Sequence, residues 1–322
     1  MNENMLKIDR PVNIGNFDRP LQLTAGQDMA GFLYKRIGRF LLFTLTCASV
    51  LAVFLIFIFI ITEASSFFSF RRLGEMLSST RWAPESLRPQ FGALAIICGS
   101  LYVTAGALIL AVPAGVMSAM FLSDIAPFSF RQLVKPIIEI LAAIPSVAYG
   151  FFAVMILAPW LQNTLHLPTG TNAMNAAMIL AIMAIPTIVS VSEDSLSAIG
   201  REIREGSYAL GATRAETLLK VVMPAAGRGI TTAILLGMMR AIGETMVVWM
   251  ASGNATQIPS PWWDISQSVR TLTATIAGDM GETAKGSDHY HALFALGAML
   301  LIFTMIINFV GETLLAAGRG KH

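Results

Sequence analysis

The sequence predicts an all-α, polytopic membrane protein with about six transmembrane helices and both termini inside. Three observations predict it. Hydrophobic residues make up 55% of the 322-residue chain and charged residues only 13%, against about 25% charged in soluble domains. The chain repeatedly runs uncharged for the length of a span; about 20 apolar residues at about 1.5 Å each cross a hydrocarbon core of about 30 Å. Lysine and arginine concentrate in alternate connections, which sets a sidedness.

Residues 1–39 are polar and mixed in charge, with Pro11, Gly15, Pro20 and Gly26 scattered through them. They read as a cytoplasmic tail, because the first apolar run starts too late and runs too long for a signal peptide. Residues 40–90 hold the first span, Phe40–Thr62, and an outer loop. The second span lies within Phe91–Ser123, an uncharged stretch longer than one crossing. The third is about Pro136–Ala158 and the fourth about Ala173–Ser192. Turn chemistry at Pro159-Trp160 and Leu167-Pro168-Thr169-Gly170 separates them. The fifth is about Gly229–Met250 and the sixth about Ala292–Leu315. Pro113, Pro145 and Pro186 fall inside spans, where they fit either a kinked translocation path or plain helix packing.

Charge chooses the side. The tail carries Lys7, Arg10, Arg19, Lys35, Arg36 and Arg39, and the loop between spans 4 and 5 carries Arg201, Arg204, Arg214, Lys220 and Arg228. Arg131, Lys135, Arg319 and Lys321 fall on the same side. Arg71, Arg72, Arg81 and Arg88, between spans 1 and 2, are an exception. A net charge of +2 gives no reason to expect a nucleic-acid partner. Membrane lipid is the expected solvent. Cys47 and Cys98 lie in apolar stretches and form no CxxC pair, so they read as small packing residues.

The most informative segment is residues 193–227. It is the most charged part of the chain, and its Ala, Leu and Glu favour helix. Gly206 and Gly211 interrupt it and Pro224 closes it, so two short helices broken near a glycine are expected. Such a pair between two spans is a docking surface for a soluble partner. The chain has no G-x-x-x-x-G-K-[ST] phosphate loop. It is therefore not expected to hydrolyse ATP, nor to be an enzyme, and its sequence carries no evidence of covalent catalysis.

Arg240 and Glu244 lie within the fifth span, four residues apart and so on one face of an unbroken helix. An arginine at a span centre costs about 2.5–3.5 kcal/mol on insertion scales, so it should face a bundle interior or an aqueous cavity. Two readings compete. In one, Arg240 lines an anion path, its planar fork suited to phosphate, and Glu244 holds it when the path is empty. In the other, the two form a structural ion pair. Glu139, four residues from Lys135, reads as a snorkelling pair with that lysine. His166, His289 and His291 do not make a metal site.

Residues 252–290 form a long outer segment. Pro259, Pro261, Trp262 and Trp263 resemble an interfacial anchor. Ile265, Val269, Leu272 and Ile276 recur at helical spacing. This surface suits either an external binding protein or interfacial packing.

The pattern Glu205-Gly206-Ser207-x3-Gly211-x9-Val221-x-Met223-Pro224 resembles the EAA loop of ABC importer permeases, EAA-x3-G-x9-I-x-L-P. Spacing matches throughout; Gly-Ser stands for Ala-Ala, Val for Ile and Met for Leu. Gly237-Met-Met-Arg240-Ala-Ile-Gly243-Glu244-Thr245-Met246 resembles the span 5 motif of phosphate-specific transport (Pst) permeases. Thr273 to Glu282, followed by His289 to Gly297, resembles their C-type subunit. The likeness covers about Phe91 to Gly311, within a permease core of residues 91–318.

The resemblance implies a type I ABC importer permease in the bacterial cytoplasmic (inner) membrane, passing inorganic phosphate inward. It implies a sister permease of A-type in a heterodimer, a cytoplasmic ABC ATPase dimer that binds ATP and Mg, and an extracytoplasmic phosphate-binding protein. No cofactor is expected in this chain. The alternatives are an importer permease for another oxyanion or small solute, an ion-coupled secondary transporter using Glu139 or Glu244, and a scaffold that transports nothing.

Overall fold

The computed structural model describes residues 25–68 and 70–317, with side chains except those of 25–35, 70–71 and 314–317. Lys7, Arg10, Arg19, Arg319 and Lys321 lie outside the described residues. The chain divides into two units, one through Ile58 and one from Phe59.

The first unit holds most of helix α1 (Ala25–Ser65), which starts well before the predicted Phe40. No charge separates Arg39 from Glu63. A helix apolar on every face is what a lipid surround requires.

The second unit opens with a compact outer connection. Helix α2 (Phe70–Ser78) leads to a two-stranded hairpin, β1 (Trp82–Ala83) and β2 (Gln90–Phe91), with Trp82 opposite Phe91. Phe67, Met76, Trp82 and Phe91 pack on Ile96, Leu272, Leu293 and Leu296. The outer arginines are partly used here: Arg72 pairs with Asp288 at 3.0 Å and lies over the Phe67 ring.

The remaining elements are α3 (Leu94–Ile125), α4 (Phe128–Ala143), α5 (Ser146–Leu165), α6 (Ala173–Ser197), α7 (Arg201–Ala209), α8 (Arg214–Ala225), α9 (Gly227–Gly243), α10 (Met246–Ala251), α11 (Leu272–Met280) and α12 (Asp288–Ala317). Among the described residues four helices are long and apolar enough to cross a membrane: Arg36–Ser65, Leu94–Ile125, Ala173–Ser197 and Asp288–Thr313. Six result if α4 with α5 and α8 with α9 each count as one bent span, the bends being 90° and 70°.

The centre is a stack of α3, α6 and α9. Val103, Ala107 and Ala111 meet Ala176, Ile179, Leu180 and Ala184, with Val247 and Val248 closing the far side. Glycines set the spacing. A Cβ added at Gly115 on α3 would fall 2.7 Å from Ile188 Cγ2, and one at Gly237 on α9 would fall 2.7 Å from Ile188 Cγ1. Ile188 of α6 is thus seated between two helices that approach it through bare backbone.

Two predicted spans are not continuous helices. The third, Pro136–Ala158, straddles a break at Ile144-Pro145, where Ile144 is extended at φ −61° and ψ 130°. The residue before proline avoids the helical region, and proline has no N–H to continue the ladder. The fifth, Gly229–Met250, breaks at Glu244, which is also extended at φ −70° and ψ 132°. The predicted helix through Ile265 and Val269 is corrected as well. Helix begins only at Leu272; residues 265–269 run beside the start of α6, where Met174 N donates to Ile265 O at 2.8 Å and Ala173 N to Gln267 O at 3.0 Å.

Candidate functional site

The loop between α6 and α9 folds as two short helices. The first part of the predicted loop belongs to α6, which runs through Ser197. Glu205, Gly206 and Ser207 then lie on α7. The break falls at Gly211, whose φ of +85° is the left-handed region that glycine enters without a Cβ penalty. Gly206 stays inside the helix. Val221, Met223 and Pro224 lie on α8.

Side chains tie the pair together. Ser207 and Thr217 hydroxyls are 2.9 Å apart. Thr213 and Glu216 form a reciprocal capping box that starts α8. The Thr213 backbone and hydroxyl donors, with Lys220, hold the Glu216 carboxyl down to about 2. The charged box is therefore fully in place above the ordinary value of 4.5 and is lost as pH falls through about 2.

The tip of this pair is apolar and bare: Leu210 is 91% exposed, with Ile203, Tyr208 and Leu219 also open. Its root is polar and fixed. Arg204 of α7 forms an ion pair with Asp124 at the end of α3 and donates to Leu196 O at 2.8 Å. The loop is thus a projection anchored on the ends of α3 and α6.

Arg240 lies on the last turn of α9. It donates to Thr187 Oγ1 at 3.3 Å and to Ala142 O at 3.2 Å. Ala142 is in the final turn of α4, where carbonyls lose their helical partners. Tyr149 OH donates to the neighbouring Leu141 O at 2.8 Å. The guanidinium therefore sits on the negative end of a broken helix, the favourable end for a cation.

The expected Arg240–Glu244 ion pair does not form. The helix ends at Gly243, so the two residues no longer share a face. Glu244 instead accepts from Val247 N at 3.4 Å, and its carbonyl accepts from Thr273 Oγ1 at 2.7 Å. The expected Lys135–Glu139 pair is also replaced: Lys135 reaches Glu193 at 2.8 Å and Asp194 at 2.9 Å on α6. His289 and His291 face Asp279 and Glu63 at 3.4 and 3.2 Å. Among the described residues no three ligating side chains gather as a metal site.

Residues 111–317 match the family described as binding-protein-dependent transport system inner membrane component. The chain belongs to this family. It has relatives named as permeases. It is 38% identical to a probable ABC transporter permease of Bacillus subtilis (strain 168), over 72% of this chain and 74% of that protein. It is 34% identical to a phosphate transport system permease protein PstC of Mesorhizobium japonicum, over 79% and 80%. The PstC of Haemophilus influenzae is 31% identical over 80% and 88%. In fold, the component resembles a chain of a bacterial ABC transporter involved in alginate import, with a TM-score of 0.63 at 15% identity, covering 90% of this chain and 99% of that one. A chain of the inward-facing MetNI methionine ABC transporter gives 0.53 at 16% identity, covering 78% and 99%.

The structure also gathers residues of this component that sequence reasoning passed over. Glu193, only 3% exposed in the last turn of α6, receives Arg131, Lys135 and Ser197 together. The signal was present as Arg131 and Lys135 one turn apart on α4, opposite the acidic pair Glu193-Asp194. Nothing local said that the two would meet.

Proposed function

We propose that this inner membrane component is one permease subunit of an ATP-driven importer of inorganic phosphate. The chain would take the anion from an extracytoplasmic phosphate-binding protein and release it to the cytoplasm across the bacterial inner membrane. The identity to phosphate permeases over about four fifths of the chain carries the choice of substrate. The chemistry at Arg240 supports it. A guanidinium has five donors, and the two contacts it makes here, 3.3 and 3.2 Å, are long for charge-assisted bonds. A tetrahedral oxyanion with paired oxygens competes well for that fork. Glu244, held across the helix break, keeps its carboxylate off the arginine, so the cation is not neutralised in advance.

In this reading the loop carrying Glu205, Gly206, Ser207, Gly211, Val221, Met223 and Pro224 couples to a cytoplasmic ABC ATPase dimer. That partner binds ATP and Mg; this chain supplies the apolar tip at Leu210. A sister permease completes the path, an A-type subunit in a heterodimer. The test is uptake of labelled phosphate by the reconstituted complex, with and without ATP and binding protein. Uptake without ATP would defeat the reading. A second reading, another oxyanion, fits the same arginine, because sulfate and molybdate also present paired oxygens to a guanidinium fork. Competition by sulfate and molybdate separates the two.

A further inference from the structure

We propose that Glu193 is a positioning residue for transport: its carboxylate, gripped by Arg131 and Lys135, latches helix α4 to the root of the coupling loop. This rests on the reading of the chain as an ATP-driven permease.

Helix α4 has no buried residue within the described chain. Phe128, Leu133, Ile137 and Ile140 are all exposed, and only Val134 and Ile138 pack, half-buried, against the apolar cluster around Leu122 and Val189. Polar contacts fix the two ends of the helix. At one end Glu193 accepts from Arg131, from Lys135 Nζ at 2.8 Å and from Ser197 Oγ at 2.9 Å, while Asp194 takes Lys135 at 2.9 Å. At the other, Arg240 and Tyr149 hold the carbonyls of Ala142 and Leu141. The break at Ile144-Pro145 interrupts the backbone ladder between α4 and α5, and in this proposal α4 moves as a unit.

The first of these clamps is mechanically continuous with the coupling loop. Glu193 lies one turn before the end of α6. Arg204 of the loop bonds Leu196 O on that same turn and pairs with Asp124. A push on α7 therefore moves the end of α6 and, through Glu193, moves α4. The far end of α4 is the Ala142 carbonyl on Arg240. Stability alone explains such a cluster poorly, because Arg131 and Lys135 are partly exposed and ion pairs open to solvent contribute little. A carboxylate that fixes two cations on another helix sets a direction that the narrow apolar contact through Val134 and Ile138 does not.

Two measurements on the full complex test this. Spin labels at Leu133 on α4 and Ala198 at the end of α6, with Cys47 and Cys98 replaced, should give one narrow distance distribution that does not change between nucleotide-free and ATP-bound states. With Glu193→Gln the distribution should broaden and become nucleotide-dependent. The same variant should transport at least tenfold less phosphate per ATP hydrolysed, with hydrolysis itself retained, and Glu193→Asp should recover most of the ratio. A distribution that stays narrow, or an unchanged ratio, overturns the proposal. If Glu193→Gln does not assemble, Lys135→Gln removes half of the grip from its exposed side and is held to the same outcomes. The distance arm needs no phosphate. Wild-type complex that takes up none, yet shows the latch releasing in Glu193→Gln, defeats the phosphate reading alone.

Discussion

Pro145 and Pro186 each lie inside a predicted span, and they end differently. Helix α6 runs from Ala173 to Ser197 straight through Pro186. At Pro145 the chain turns by 90°. Both prolines lack the N–H and crowd the preceding turn, so the residue alone does not decide. The neighbours do. Helix α6 is enclosed by α3 and α9, with Ile188 seated between Gly115 and Gly237. Helix α4 has no fully buried residue within the described chain, with only Val134 and Ile138 half-buried, and its end is held by single polar bonds. Proline permits a bend without requiring one: flanking packing accompanies the unbroken helix at Pro186, while α4 also runs unbroken through Pro136 with no fully buried residue.

The comparison can be broken from either side. The largest effect is expected at the clamp on the bend. Arg240→Gln removes the cation from the Ala142 carbonyl and from the proposed anion contact, and phosphate uptake by reconstituted complex should fall about 100-fold, ~3 kcal/mol. Uptake within twofold of wild type would remove Arg240 from the path. On the enclosed side, Gly237→Ala drives a methyl into Ile188, and overpacking of this kind costs about 1–3 kcal/mol. Thermal unfolding in detergent should show the loss, and pairing it with Ile188→Val should restore part of it; no change would mean that the glycine seat is loose.

Smaller effects sharpen the contrast. Tyr149→Phe deletes the bond to Leu141 O, worth about 0.5–1.5 kcal/mol, and should widen distances measured across the α4–α5 bend while leaving α6 untouched. Pro186→Ala should matter least. In a helix already continuous it offers one more backbone bond, about 0.5–1.5 kcal/mol. A tenfold change in uptake from Pro186→Ala would show that α6 flexes at that proline after all.

The sequence by itself determined the apolar runs, the alternation of charge between connections and a two-helix loop broken near a glycine; the structure chose Gly211 over Gly206. Each is a local property: a span needs only its own uncharged length, and a left-handed turn needs only its own glycine. Which acceptor each of these cations takes was decided by tertiary structure. Arg240 meets Ala142 across 98 residues and Arg131 meets Glu193 across 62. Spacing of four favoured Glu244 for Arg240 and Glu139 for Lys135, on the assumption of a continuous helix in the first case and of a helix acting alone in the second. The break at Glu244 removed one premise, and the nearby acidic end of α6 removed the other. A charge in a low-dielectric interior bonds the strongest group within reach, and reach is set by how the helices pack and not by their order in the chain.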